Sequence, residues 1–310
     1  MKKLFLTAIT IGALAVTSVV AAPKFPFPQN QAYPYGLTFK GAETSKIQQH
    51  FKTWKKAWYT EAGQFYAMYG GASENANQRM PSGTARVISP NAKVELTVSE
   101  GIGYGMLLMV YMSDAQNDYQ SEFDKLWKYW KCYGKGLNGN GCNSWSGQGM
   151  DWQVDNYTGS IGGGTASDAE FDAAVALIMA YKQWGNSSYL EDAKKLINWT
   201  KSNDMQSDGS VRPGSNWNDA FNPSYSHVGA FKLFQEVTND AFWNTAATTT
   251  LNHLRLCQDK TTGLMPDWCD WNSHKGTTTN AAVGTGGGTF GDDAARTPWR
   301  IAQAYHWYGL

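Results

Sequence analysis

The chain has 310 residues with 26 basic and 26 acidic side chains, a balance that argues against nucleic acid or an anionic membrane surface as partner. Its length suits one large domain or two small ones, with enough core to make disulfides optional. It carries 14 Trp, 16 Tyr and 32 Gly, and aromatic faces at this density fill cores and also stack on sugar rings.

Met1, Lys2 and Lys3 precede an apolar run from Leu4 to about Val20, closed by the small residues Ala21 and Ala22. That order is the one of a secretory signal peptide, and the run is short for a membrane span. Residues 1–21 are therefore expected to be removed, leaving 22–310 as an exported, monomeric domain with slightly more acid than base. Export permits disulfides. The four cysteines allow three pairings, and the local ones, Cys132–Cys142 and Cys257–Cys269, each close a short loop. Their spacing does not match a zinc site, and no phosphate-binding glycine pattern is present. No metal and no cofactor are expected.

Residues 22–43 are rich in Pro and aromatics without a period and form an extended lead-in. Thr44 to Tyr59 is expected to be a helix, with Ile47, Phe51, Trp54 and Trp58 on one face. A polar, Gly/Asn-rich stretch with a short strand at Ala85–Ile88 follows. Ile102 to Met112 is apolar almost all round, as in a buried helix. Phe123, Leu126, Trp127 and Trp130 then form a narrow stripe, as in a surface helix. The alternation recurs: Phe171 to Trp184 nearly all apolar, then a stripe of Tyr189, Leu190, Ala193, Leu196 and Ile197. A third pair has Tyr225 to Val237 followed by Phe242, Ala246, Leu251 and Leu254, and a last helix spans about Asp293 to Tyr308. Buried and surface helices in alternation, joined by long Gly-rich loops at about 134–166, 203–223 and 257–292, predict an all-α barrel of two concentric helix rings. An irregular bundle or a superhelix of helix pairs is the alternative. Loops this long in a compact domain are usually functional.

In such a barrel the inner helices run parallel, so their N-termini gather at one end. Glu100, Asp168 and Asp293 stand at those starts, with Tyr225 at another. Singly, each acid suits a capping role at a helix start. Together, with Gly101 and Gly103 beside Glu100, they suit a site. Paired carboxylates under aromatic loops fit glycoside hydrolysis, which needs one acid on the leaving oxygen and a second carboxylate on the opposite face. The acid must stay protonated near neutral pH. Ile102, Tyr104 and Met106 would keep water from Glu100, and Asp168 is the neighbouring charge that would help.

The segment Thr97-Val98-Ser99-Glu100-Gly101-Ile102-Gly103-Tyr104-Gly105-Met106 resembles the proton-donor motif of glycoside hydrolase family 8. Ala166-Ser167-Asp168-Ala169-Glu170-Phe171-Asp172-Ala173-Ala174 is similar to that family's signature segment. Asn222-Pro223-Ser224-Tyr225 and Asp293-Ala294-Ala295-Arg296-Thr297-Pro298-Trp299-Arg300 resemble two further elements, in the family's order. The resemblance implies an (α/α)6 barrel, hydrolysis of β-1,4 glucan, xylan or chitosan with inversion, Glu100 as general acid and Asp293 as general base. It implies that Asp168 binds the distorted central sugar, that Tyr225 orients the nucleophilic water and that Arg296 supports the base. Glu170 stands where the family usually has Asp, and Ala173 where it has a larger apolar residue. The family barrel has twelve helices and about eight are legible here, so the domain is expected to be truncated at its C-terminus.

Trp145, Trp152, Trp217, Trp268 and Trp271 lie in the loops over the acid-bearing end. Trp145 and Trp152, with Tyr104, are the candidate sugar-binding aromatics, and flat indole faces favour glucose rings. The expected activity is endo-acting cleavage of a β-1,4-glucan polysaccharide. The alternatives are a chitosanase or xylanase of the same family, and a non-catalytic carbohydrate-binding fragment.

Overall fold

A computed structural model describes residues 22–29, 31–36, 43–64, 77–89, 95–277 and 287–310. The expected signal peptide, residues 1–21, lies outside them. Among the described residues the chain forms eight α-helices and five short strands. The helices are α1 (Thr44–Trp58), α2 (Ser99–Met112), α3 (Gln120–Cys132), α4 (Ser167–Trp184), α5 (Ser187–Asn203), α6 (Val228–Thr238), α7 (Phe242–Cys257) and α8 (Thr297–Tyr308).

Helices α2, α4, α6 and α8 contact one another in that order, and α3, α5 and α7 each pack on the helix before them. This is the expected division into inner and outer helices. It follows from composition. In α4, Ala169, Ala173, Ala174, Ala176 and Ala180 are all sealed from solvent, so neighbours approach from every side. In α5 only Tyr189, Ala193, Leu196, Ile197 and Thr200 are buried, one stripe at helical spacing. The stripe on α7 is Trp243, Ala246, Ala247, Thr250 and Leu254, with Leu251 only partly buried. It is rotated from the expected one because Trp243 turns inward onto Phe231 and Phe234, with ring centroids 5.6 and 5.1 Å away. Helix α8 differs from the other inner helices. It buries Thr297, Arg300 and Ala304, while Trp299, Ile301 and Tyr305 are exposed.

Helices α2 and α4 lie side by side in parallel. A Cβ on Gly103 would sit 3.3 Å from both the Ala169 carbonyl oxygen and the Asp172 Cβ, so glycine there lets the two helices touch near their N-termini. Both disulfides have the local pairing, Cys132–Cys142 and Cys257–Cys269.

The long loop before α4 is not structureless. Strand β3 (Leu96–Val98) leads into α2 and pairs antiparallel with β4 (Gln153–Asp155), which pairs with β5 (Gly159–Gly162). A second ribbon joins β1 (Tyr59–Glu61) to β2 (Ala85–Val87). Strands of three or four residues are too short to show a period of two in sequence.

Candidate active site

Glu100 is the second residue of α2, and Asp168 is the second residue of α4. The N-cap positions are held by Val98 and Ala166, not by these acids. Both acids instead meet Arg296, which closes a 3-10 turn (Ala294–Arg296) just before α8. Arg296 Nη1 donates to Glu100 Oε1 and, at 3.1 Å, to Asp168 Oδ2. Its Nη2 donates to Asp293 Oδ1 at 2.7 Å. One guanidinium thus gathers three carboxylates from three separate elements.

Tyr225 closes the 3-10 turn Pro223–Tyr225 and lays its ring 5.5 Å from the Arg296 guanidinium. Asn222 builds that turn and reaches the site at once. Its Oδ1 accepts from Ser224 N at 3.0 Å and Ser224 Oγ at 2.7 Å, and its Nδ2 donates to Asp293 Oδ2 at 2.8 Å. Asn222 appears in the sequence motif without an evident role; the signal is Asn directly before Pro-Ser, a turn-capping pattern.

Burial dominates the electrostatics of the two aspartates. Burial pushes Asp168 well above the usual carboxylate range, and the Glu100 charge adds to this while Arg296 and Arg300 oppose it. Its Oδ1 is buried without a hydrogen-bond partner. Burial also raises Asp293, against the pull of Arg296 and Asn222. Burial and the nearby Asp168 charge raise the Tyr225 phenol, which therefore stays a neutral donor. Desolvation works against the Arg296 cation, but Asp168, Glu100 and Asp293 more than offset it and hold the guanidinium charged.

A second layer lies beneath. Asp172, one turn after Asp168, receives both arms of Arg300, one turn after Arg296, at 2.6 Å each. His227 Nε2 lies 3.0 Å from the same Asp172 Oδ1. The sequence signal is the shared four-residue spacing: two acids on α4 facing two arginines on the α8 segment.

The aromatic candidates divide. Trp152 sits beside the acid: its carbonyl accepts from Ser99 N at 3.0 Å, and its half-buried ring lies 5.9 Å from that of Trp217. Tyr104, one turn beyond Glu100, packs on Trp299 at 5.9 Å. Trp145 is not brought to the acids. It packs edge-on against Trp127 of α3 at 5.0 Å, under Lys195 of α5, and its Nε1 donates to the Gln148 carbonyl at 2.7 Å. Trp268 is buried against Tyr225, and Trp271 packs on Phe221.

The arrangement offers two carboxylates on either side of an arginine, a buried acceptor and a neutral phenol, flanked by an indole pair. That set has the chemistry to donate a proton at one carboxyl and accept one at another. A family model described as glycosyl hydrolases family 8 matches residues 25–310. Endoglucanase 2 of Ruminiclostridium josui is 33% identical over 99% of this chain and 62% of its own length. Endoglucanase A of Acetivibrio thermocellus is 31% identical over 99% of this chain and 59% of its own. The chain therefore spans about three fifths of the length of these relatives. Among solved structures, the apo beta-1,3-1,4-glucanase from Paenibacillus sp. X4 superposes with a TM-score of 0.77 at 27% identity, over 93% of this chain and 74% of that one. A reducing-end-xylose releasing exo-oligoxylanase, at 21% identity and a TM-score of 0.66 over 87% of this chain and 68% of that one, shares the fold. These matches and the inner and outer helices give the fold class, all-α and of the (α/α)6 barrel type.

Proposed function

Because the chain belongs to glycosyl hydrolase family 8, we propose that it is an exported, endo-acting hydrolase of β-1,4-glucan that works with inversion. The observation that carries this is the gathering of Glu100, Asp168 and Asp293 around Arg296, beside Tyr225. Glu100 donates its proton to the glycosidic oxygen as the bond to the anomeric carbon breaks. Asp293 takes a proton from a water that attacks that carbon from the opposite face. Its raised affinity for protons suits a base working near neutral pH. The two proton transfers balance: the acid is left ionised, the base protonated, and exchange with solvent resets both.

Asp168 Oδ1, buried and unpartnered, is an acceptor for a hydroxyl of the central sugar. The Tyr225 phenol positions the water, and Arg296 holds the base through its bond to Asp293 Oδ1. Trp152 and Trp217 supply apolar faces for neighbouring sugars. Export is supported by the charged, apolar, small-residue order of residues 1–22 and by two disulfides.

Glucan is preferred over xylan or chitosan because the relatives at 31–33% identity carry endoglucanase names. Reducing-sugar release from carboxymethylcellulose, xylan and chitosan tests this directly. Release mainly from chitosan or xylan would move the substrate, and none from any would favour a binding protein. Proton NMR of fresh product tests the stereochemistry: the α-anomer is expected first, and a β-anomer appearing first would remove Asp293 from the role of base.

A further inference from the structure

Resting on the reading of Asp293 as the base, we infer that Asp267 is its positioning residue, clamping the backbone on both sides of it. Asp267 Oδ1 accepts from Gly291 N at 3.0 Å and from Ala294 N at 2.7 Å. These amides lie two residues before Asp293 and one after it, so a single oxygen holds the turn that aims the base. Gly291 has to lack a side chain, because a Cβ there would fall on the Asp267 carboxylate.

The clamp is itself anchored. Asp267 N donates to the Thr289 carbonyl at 2.8 Å, and Trp268 N donates to the Gly287 carbonyl at 2.7 Å. Cys269 is tied to Cys257 at the end of α7 and pairs with Phe221 through two backbone bonds of 2.8 Å. Phe221 precedes Asn222, whose amide holds Asp293 Oδ2. Residues 267–269 thus fix the backbone of the base through Asp267 and its carboxylate through Asn222.

Asp267 also carries charge. The ionisable groups facing Asp293 are Arg296, Asp267 and Glu100, with the Tyr225 phenol beside them. The Asp267 charge makes ionised Asp293 less favourable, against Arg296. A purely structural acceptor would not have this effect, so the two roles can be separated.

The test uses the full chain with carboxymethylcellulose and compares Asp267→Ala, Asp267→Asn, Gly291→Ala and Asp293→Asn. Asp267→Ala loses anchor and charge. Its kcat should fall about 10- to 100-fold, as for other small misplacements of a catalytic group, with KM changed less than twofold. The acid limb of its kcat/KM profile should move to lower pH. Asp267→Asn keeps the accepting oxygen, so it should recover most of kcat while the limb stays displaced. Gly291→Ala should lower kcat by pushing the carboxylate away. Wild-type kcat and an unmoved limb in Asp267→Ala would overturn the inference. If that variant does not fold, an unmoved limb in Asp267→Asn overturns it instead. Substantial activity in Asp293→Asn would sink the base assignment itself, a separate result.

Discussion

Arg300 and Asp172 meet through two hydrogen bonds of 2.6 Å each, with both side chains sealed from solvent. The pair stands directly beneath the one formed by Arg296 and Asp168. Removing one partner leaves the other charge buried and unpaired, which typically costs about 3–5 kcal/mol. Arg300→Leu should lose that much in urea unfolding, and Asp172→Leu/Arg300→Leu should lose less than Arg300→Leu alone. Arg300 holds Asp172 down to about 2 despite its burial. A depressed carboxylate stabilises the fold above its ordinary value and ceases to as pH falls through the folded one. The Asp172 contribution should therefore disappear between about pH 3.8 and pH 2. A double variant less stable than Arg300→Leu would contradict this account.

Glu170 and Asp204 show the opposite behaviour. Burial pushes Asp204 up to about 7 and Glu170 well above its ordinary range, where the Asp204 charge raises it further. Glu170 Oε2 and Asp204 Oδ2 are both buried without partners. Carboxyls raised in the folded state stabilise it fully below their ordinary values, and that stability is lost as pH rises through the folded ones. Unfolding free energy should fall between about pH 4 and pH 7. Glu170→Gln keeps the acceptor for Met150 N and removes one of the two buried titrating carboxyls. It should be more stable than the wild type at pH 8, where the buried carboxyl would have to ionise, and should flatten the pH dependence. Urea titrations at pH 5 and pH 8 check both; an unchanged slope with pH would refute the account.

Trp145 and Trp152 should respond differently to truncation. Trp145→Ala opens the contact between α3 and α5 and should cost about 3 kcal/mol, with KM little changed. Trp152→Ala should raise KM on polymer and shift the melting temperature by less than Trp145→Ala does. Calorimetry and steady-state kinetics on both variants decide; a KM effect confined to Trp145→Ala would reverse the assignment.

Glu100→Gln removes the proposed proton donor to a poor alkoxide leaving group and should nearly abolish cleavage of the polymer. It should spare more activity on an aryl glycoside, whose leaving group needs less protonation. Asp293→Asn removes the proposed base and should suppress both substrates alike. Because burial raises Asp293, the acid limb of the wild-type kcat/KM profile should lie above pH 3.8, the ordinary aspartate value. Equal losses on both substrates in Glu100→Gln would reassign the acid.

The helices are legible because their two kinds of composition are extreme: α4 is nearly all apolar from Phe171 onward, and α5 carries one stripe. The starts of α2 and α4 are legible because Ser99-Glu100 and Ser167-Asp168 follow extended segments. The three-stranded sheet is hidden because each strand is too short for a period. Asp172 and Arg300 stand in the family-like segments, four residues beyond Asp168 and Arg296, but nothing local shows that α4 and α8 face each other. Trp145 and Trp152 share a loop and a residue type. Their surroundings differ because Trp127 and Lys195 claim one and Trp217 the other, all distant in sequence.

The bond from Ser99 N to the Trp152 carbonyl, with the register Val98↔Gln153 beside it, ties Glu100, the proposed proton donor, and the Trp152 indole into one tile. Descent cannot vary the two independently. A lineage that lengthens β4 or slips its register to accommodate a different sugar also displaces Glu100 and loses turnover before it gains a substrate. Innovation is cheaper at the turn between β4 and β5, where Thr158 is exposed and an insertion leaves the pairing intact. Diversity among natural or engineered descendants of this chain should therefore accumulate at that turn, while the strands leading to the acid stay constant in length.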